Sequence, residues 1–161
     1  MNIEKLFDMQ RGLDRYIEEG HDLAGKNLFD QKVLALLVEI GELANETRCF
    51  KFWSTKGPSE RSVILEEFVD GVHFILSLGI MGGFDQAKPS FEAGNVDQAQ
   101  QFILVMESVH AFHKEKIKSN YEQLMNRYFE LGDLLGFSPD EVEAAYIAKN
   151  EVNYERQKSG Y

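Results

Sequence analysis

The sequence predicts an all-α protein folded as one compact helical bundle, and three observations carry that prediction. Apolar residues recur at helical spacing along most of the chain, as in Leu6, Met9, Leu13, Tyr16 and Ile17, while the strict alternation of a half-buried strand is hard to find. The chain has 161 residues, 43% of them hydrophobic, which suits a single domain over 1–161 whose core needs no disulfide or structural metal. There is no internal repeat, low-complexity tract or composition break that would divide it.

Each element has its own signals. A first helix is expected from about Ile3 to Glu19, stopping at Gly20, and a second from near Asp30, read as its N-cap, through Glu46. The turn Lys56-Gly57-Pro58-Ser59 separates the second from a third helix over about Glu60 to Gly79. Gly79, Gly82, Gly83, Pro89 and Gly94 then predict a long ordered loop to Asn95, beside the third helix and able to cover a pocket. Helical sequence resumes from Val96 to Leu135, with a break expected near Lys114 to Ser119, and ends at Gly136. Ser138-Pro139-Asp140-Glu141 supplies an N-cap, a Pro at the first helical position and a Glu at the third, which starts a last helix running to about Lys158.

Composition narrows the function. With 27 Asp plus Glu against 17 Lys plus Arg, the net charge of −10 disfavours broad binding to nucleic acid or to anionic lipid. No apolar run approaches the ~20 residues needed to span a bilayer. The single cysteine, Cys49, cannot form an intrachain disulfide, and the charged amphipathic stretch from Asn2 to Glu19 does not read as a secretion signal. A cytoplasmic protein without nucleic-acid or membrane partners is the expectation.

Acids stand where helices should be apolar. Glu39 and Glu42 interrupt Leu36-Leu37-Val38-x-Ile40-x-x-Leu43, and Glu67 and Asp70 interrupt Ile64-Leu65-x-x-Phe68-Val69-x-x-Val72. A spacing of three puts each pair on one helical face, and side-by-side packing of the two helices would bring four carboxylates to a common point. Clustered buried acids demand compensation, and oxygen-only donors select hard cations, Mg²⁺ first and Mn²⁺ as its substitute. For one pair alone in so acidic a chain, a solvated face suffices; two pairs in neighbouring apolar helices make the metal reading competitive. Glu46, four residues after Glu42, would add a fifth oxygen or simply mark an exposed helix end.

Glu39-x-x-Glu42, followed 28 residues after Glu39 by Glu67-x-x-Asp70, resembles the metal motif of the all-α nucleoside triphosphate pyrophosphatases. The flanking Phe50-Lys51-Phe52-Trp53-Ser54, Asp70-Gly71-Val72-His73-Phe74 and the closing Lys149-Asn150-x-x-Asn153-x-x-Arg156-Gln157-x-x-Gly160-Tyr161 narrow the resemblance to the dimeric dUTPases. It spans about Met9 to Tyr161. The resemblance implies a helical homodimer that hydrolyses dUTP, and dUDP, to dUMP in nucleotide-pool sanitation and dTMP precursor supply. It implies that Glu39, Glu42, Glu67 and Asp70 hold two or three Mg²⁺, with Glu42 also orienting or deprotonating the attacking water.

The same resemblance assigns phosphate and sugar contacts to Lys149, Asn153, Arg156 and Tyr161, residue types whose donors suit phosphate oxygens and hydroxyls. A basic helix end complementing its dipole is the plainer account of the first three. Gln10 and Asp14 match positions that read the uracil edge. Some relatives carry Asn where this chain has Asp14, so Gln10 is the stronger candidate, with Trp53 and Phe74 enclosing the base; core packing explains either aromatic taken alone. His73, one turn after Asp70, reads as a supporting or core residue. His110-x-x-His113 with Glu107 reads as a surface or interface group more than as zinc ligands. Cys49 lacks a nucleophile's context, and Lys51 and Lys56 reach phosphate or are simply solvated. Two other classes use the same acids: a related pyrophosphatase for another nucleotide, and a non-catalytic helical partner-binding protein.

Overall fold

A computed structural model of the chain describes residues 1–90 and 95–160. Among them lie six helices and no strand: α1 (Ile3–Gly20), α2 (Phe29–Thr47), α3 (Arg61–Gly82), α4 (Gln98–Lys114), α5 (Lys118–Leu134) and α6 (Pro139–Lys158). The all-α class is as the periodicity predicts. None of these helices is long and apolar enough to cross a membrane.

Several ends follow their local chemistry. The Asn2 side chain accepts from the Lys5 amide, and the capping box of Ser138 and Glu141 opens α6 as read from the sequence. The α4–α5 break falls at 115–117, inside the expected window. Two boundaries differ. α2 begins at Phe29, one residue before the expected cap Asp30, because Asn27 Oδ1 takes the Phe29 amide at 3.1 Å. α3 passes through Gly79 and ends only at Gly82, with Gly83 left-handed at φ 74°. Gly79 is a close-approach residue instead of a stop: a Cβ there would lie 2.1 Å from the Tyr121 hydroxyl oxygen. The following loop is correspondingly shorter, and the part of the expected pocket cover over 91–94 lies outside the described residues.

α3 is the axis of the molecule and packs against α1, α2, α5 and α6, while α4 lies on α2 and α5. Its contact with α5 is built from rings set against glycines. Phe68 stacks on Tyr128 at 4.7 Å, and the Tyr128 and Tyr121 hydroxyls donate to the Phe68 and Ile75 carbonyls at 2.8 and 3.0 Å. At the start of α3, Arg61 donates to Glu141 at 2.7 Å and to the Gly136 carbonyl at 2.8 Å, and lies over the Phe137 ring. The start of α3 is thereby tied to the start of α6; α3 packs against both α1 and α2, and α6 against α1.

Candidate active site

α2 and α3 bring Glu39, Glu67 and Asp70 together so that one carboxylate oxygen of each lies within 4.8 Å of the others. Among the described residues no other three acids, histidines or cysteines converge in this way. Burial, then repulsion from Asp70, Glu42 and Glu67, pushes the Glu39 carboxyl up to about 7. Burial, then Asp70 and Glu42 and more weakly Glu46, raise Glu67, and burial raises Asp70 despite an opposing lysine. The cluster is short of positive charge. Glu42 is exposed and stands outside the converging three, close enough to repel both Glu39 and Glu67. Oxygen donors at this separation, whose charged forms are penalised by burial and mutual repulsion, fit a hard divalent cation such as Mg²⁺.

α6 supplies the opposing charge. Lys149, only 8% exposed, places Nζ 2.7 Å from Asp70 Oδ2 and 2.8 Å from Glu66 Oε1. Burial alone would lower its pKa, but the hydrogen bonds to Asp70 and Glu66 outweigh it and hold the ammonium charged. The same contact holds Glu66 below the usual carboxylate range. Sequence reasoning missed Glu66; its signal was the spacing of four before Asp70, which puts both acids on one face of α3. Asn153 and Arg156, one and two turns beyond Lys149, line the adjoining cavity.

That cavity, about 390 Å³, extends from Glu39 and Asp70 to a floor made of α1 and α3 residues. It has the size of small-molecule pockets in general. Gln10, Asp14, His73, Phe74 and Ser77 line it, with Leu13 and Ile17 adding apolar surface. Gln10 is buried and bonded at both ends of its amide: Nε2 donates to Asp14 at 2.8 Å, and Oε1 meets the Tyr146 hydroxyl at 2.7 Å and His73 Nδ1 at 2.8 Å. Burial, then the Lys149 charge, lowers the His73 pKa to about 3, so its ring is neutral.

The structure thus joins Gln10, Phe74, Asn153 and Arg156 to Glu39 and Asp70 around one cavity, with Glu67 in the acid cluster beside it and Lys149 on Asp70. It does not bring Trp53 there. Trp53 is 66% exposed and packs against Phe50 and the 94% exposed Phe52, at 6.0 and 5.0 Å, on the connection after α2. Tyr161 lies outside the described residues. Lys51 donates to Asn45 and Lys56 is exposed, away from the cavity lining, while His113 pairs with Asp30 at the surface. Ser77 and Lys32 were not singled out from the sequence, although Ser77 follows His73 by one helical turn.

A family model described as dUTPase matches residues 2–161. No curated protein matches the chain.

Proposed function

The chain belongs to the dUTPase family, and we propose on that premise that it hydrolyses dUTP to dUMP and pyrophosphate, and dUDP to dUMP and phosphate, with Mg²⁺ as cofactor. One observation carries the reading: a nucleoside-sized cavity opens directly onto the only convergent acid cluster among the described residues. Glu39, Glu67 and Asp70 would hold the metal, with Glu42 at the edge of the set. When bound, Mg²⁺ supplies charge neutralisation of the phosphate chain and acidification of a water.

The remaining chemistry belongs to the chain's own side chains. Glu42, exposed and free of the converging three, orients the water or takes its proton. Arg156 and Asn153 face the same cavity and bind phosphate and sugar oxygens, and Lys149 carries a point charge to the junction between acids and phosphates. The planar, apolar side of Phe74 packs on the base. The physiological role that follows is removal of dUTP from the nucleotide pool and supply of the dTMP precursor, in the cytoplasm.

The homodimer is part of the same reading. Leu34 and Val38, four apart on the outward side of α2, are 64% and 49% exposed, and the Phe50-Phe52-Trp53 aromatic group follows α2 directly. A second copy covering this surface would remove it from water.

The test is purified protein against dUTP, dTTP, dCTP and UTP, with and without chelator. Pyrophosphate release from dUTP in preference to the other three, and only with divalent metal, is expected. Equal turnover of all four would point to a general pyrophosphatase, and no turnover with tolerance of Glu39→Ala and Asp70→Ala to a non-catalytic protein.

A further inference from the structure

Lys149 is held by two acids of α3 that differ in their other commitments. The lysine is buried, and its Nζ lies 2.7 Å from Asp70 Oδ2 and 2.8 Å from Glu66 Oε1. Among the described residues no third acid pairs with it. Asp70 also belongs to the converging three acids, whereas Glu66 does not. The spacing of four puts both on one face of α3, so the ammonium bridges a proposed metal ligand and a carboxylate that stands clear of the cluster. Asp70 is largely buried, while the Glu66 side chain is 57% exposed. A divalent cation and an ammonium on one carboxylate repel each other, and a partly buried site screens that repulsion poorly. Nor can the ammonium simply be released, because a buried charge without a partner is costly. Glu66 offers it a way to yield. Rotation about the terminal bonds of the flexible lysine stem withdraws Nζ from Asp70 while the Glu66 contact is kept, and neither helix need move.

We propose that Glu66 is a positioning residue that retains the Lys149 ammonium when a divalent cation takes Asp70, so that metal and lysine exchange on one carboxylate without stranding a buried charge. The inference rests on the metal reading above and adds to it a residue outside the proposed ligand set. Glu66 suits the part because its exposed carboxylate stays charged at little desolvation cost. A lysine freed from Asp70 but held by Glu66 keeps a fixed place and has an N–H to spare for a phosphate oxygen.

Two measurements on the full-length protein, without nucleotide or turnover, test the exchange. In Mn²⁺ titration calorimetry at low salt, Glu66→Gln, which keeps the shape and removes the charge, should bind about tenfold more weakly than the wild type. In a Lys149→Met background the same substitution should change binding by less than about twofold, since no ammonium remains to be held. In nitrogen NMR, with Lys149→Met assigning the signal, the Lys149 ammonium of the wild type should shift on saturation with Mg²⁺ and stay visible. In Glu66→Gln it should be lost to solvent exchange on the same addition. Mn²⁺ affinity unchanged by Glu66→Gln, or weakened equally in both backgrounds, overturns the inference alone; the second result would make Glu66 a ligand or a distant charge. An ammonium signal unmoved by Mg²⁺ in a protein that binds it shows lysine and metal sharing Asp70, and overturns the exchange as well. Mn²⁺ binding that is absent from the wild type, or undiminished in Glu39→Gln, overturns the metal reading together with it.

Discussion

Glu39 shows how one side chain couples metal, proton and stability. Its carboxyl, raised from 4.5 to about 7, binds a proton more tightly in the folded chain than in the unfolded one. The linkage sign is then set: stability from this group is fully present below about pH 4.5 and is lost as pH rises through about 7. Metal-free protein should melt at a lower temperature at pH 8 than at pH 5.5 as far as this residue governs it, and Mg²⁺ should reverse the loss and release protons near neutral pH, both readable by calorimetry in two buffers. Glu39→Gln should flatten the pH trend, abolish the Mg²⁺ response and lower kcat at least about a hundredfold. The residue was legible from sequence because an acid inside an apolar helix is an anomaly. Its partner set was less so: i,i+3 spacing gives a shared face, but only the rotation of α2 against α3 decides that Glu39 enters the three-acid cluster while Glu42 stays at its rim.

At the scale of elements, α3 works because its glycines let α5 approach and its acids let α6 insert a cation. A Cβ at Gly71 would lie 2.0 Å from the Tyr128 hydroxyl, which itself donates to the Phe68 carbonyl, so Gly71→Ala forces the ring away and orphans a buried donor. Gly71→Ala should lose about 1–3 kcal/mol in urea unfolding, and Gly79→Ala, set against Tyr121, a similar amount. Gly79 is also why α3 runs past its expected end: a glycine that breaks a helix and one that admits a neighbouring ring are identical in a single sequence, and only the tertiary partner separates them. Lys149 tests the α3–α6 junction. Its ammonium occupies one oxygen of Asp70, a proposed metal ligand, so Lys149→Met should bind Mn²⁺ about tenfold more tightly without nucleotide, as followed by titration calorimetry, while turnover falls. Weaker Mn²⁺ binding would show that the lysine organises the acids instead of competing for them.

For the whole molecule, the charge of −10 and the exposed aromatic surface make separate demands. The charge argues against polyanion partners unless metal intervenes, which the acid cluster makes plausible chemically and the nucleotide assay decides. The aromatic surface concerns assembly. Periodicity disclosed that the chain is helical, but it could not disclose that Phe50, Phe52 and Trp53 fall on a connection and not in a core, because no helical pattern governs a turn. Rings at 94% and 66% exposure are costly in an isolated chain, since each aromatic withdrawn from water is worth about 1.5–3 kcal/mol. With Leu34 and Val38 they are exposed apolar side chains of the kind that marks an interface, and the proposed occupant is a second copy of the chain. Light scattering should therefore give a dimer at micromolar concentration. The paired substitution Phe52→Ser with Trp53→Ser should shift the mass to the monomer while helical circular dichroism is unchanged, since neither side chain belongs to the buried core. A wild-type monomer at that concentration would refute the assembly, and a double variant that stays dimeric would move the interface to another face of the bundle.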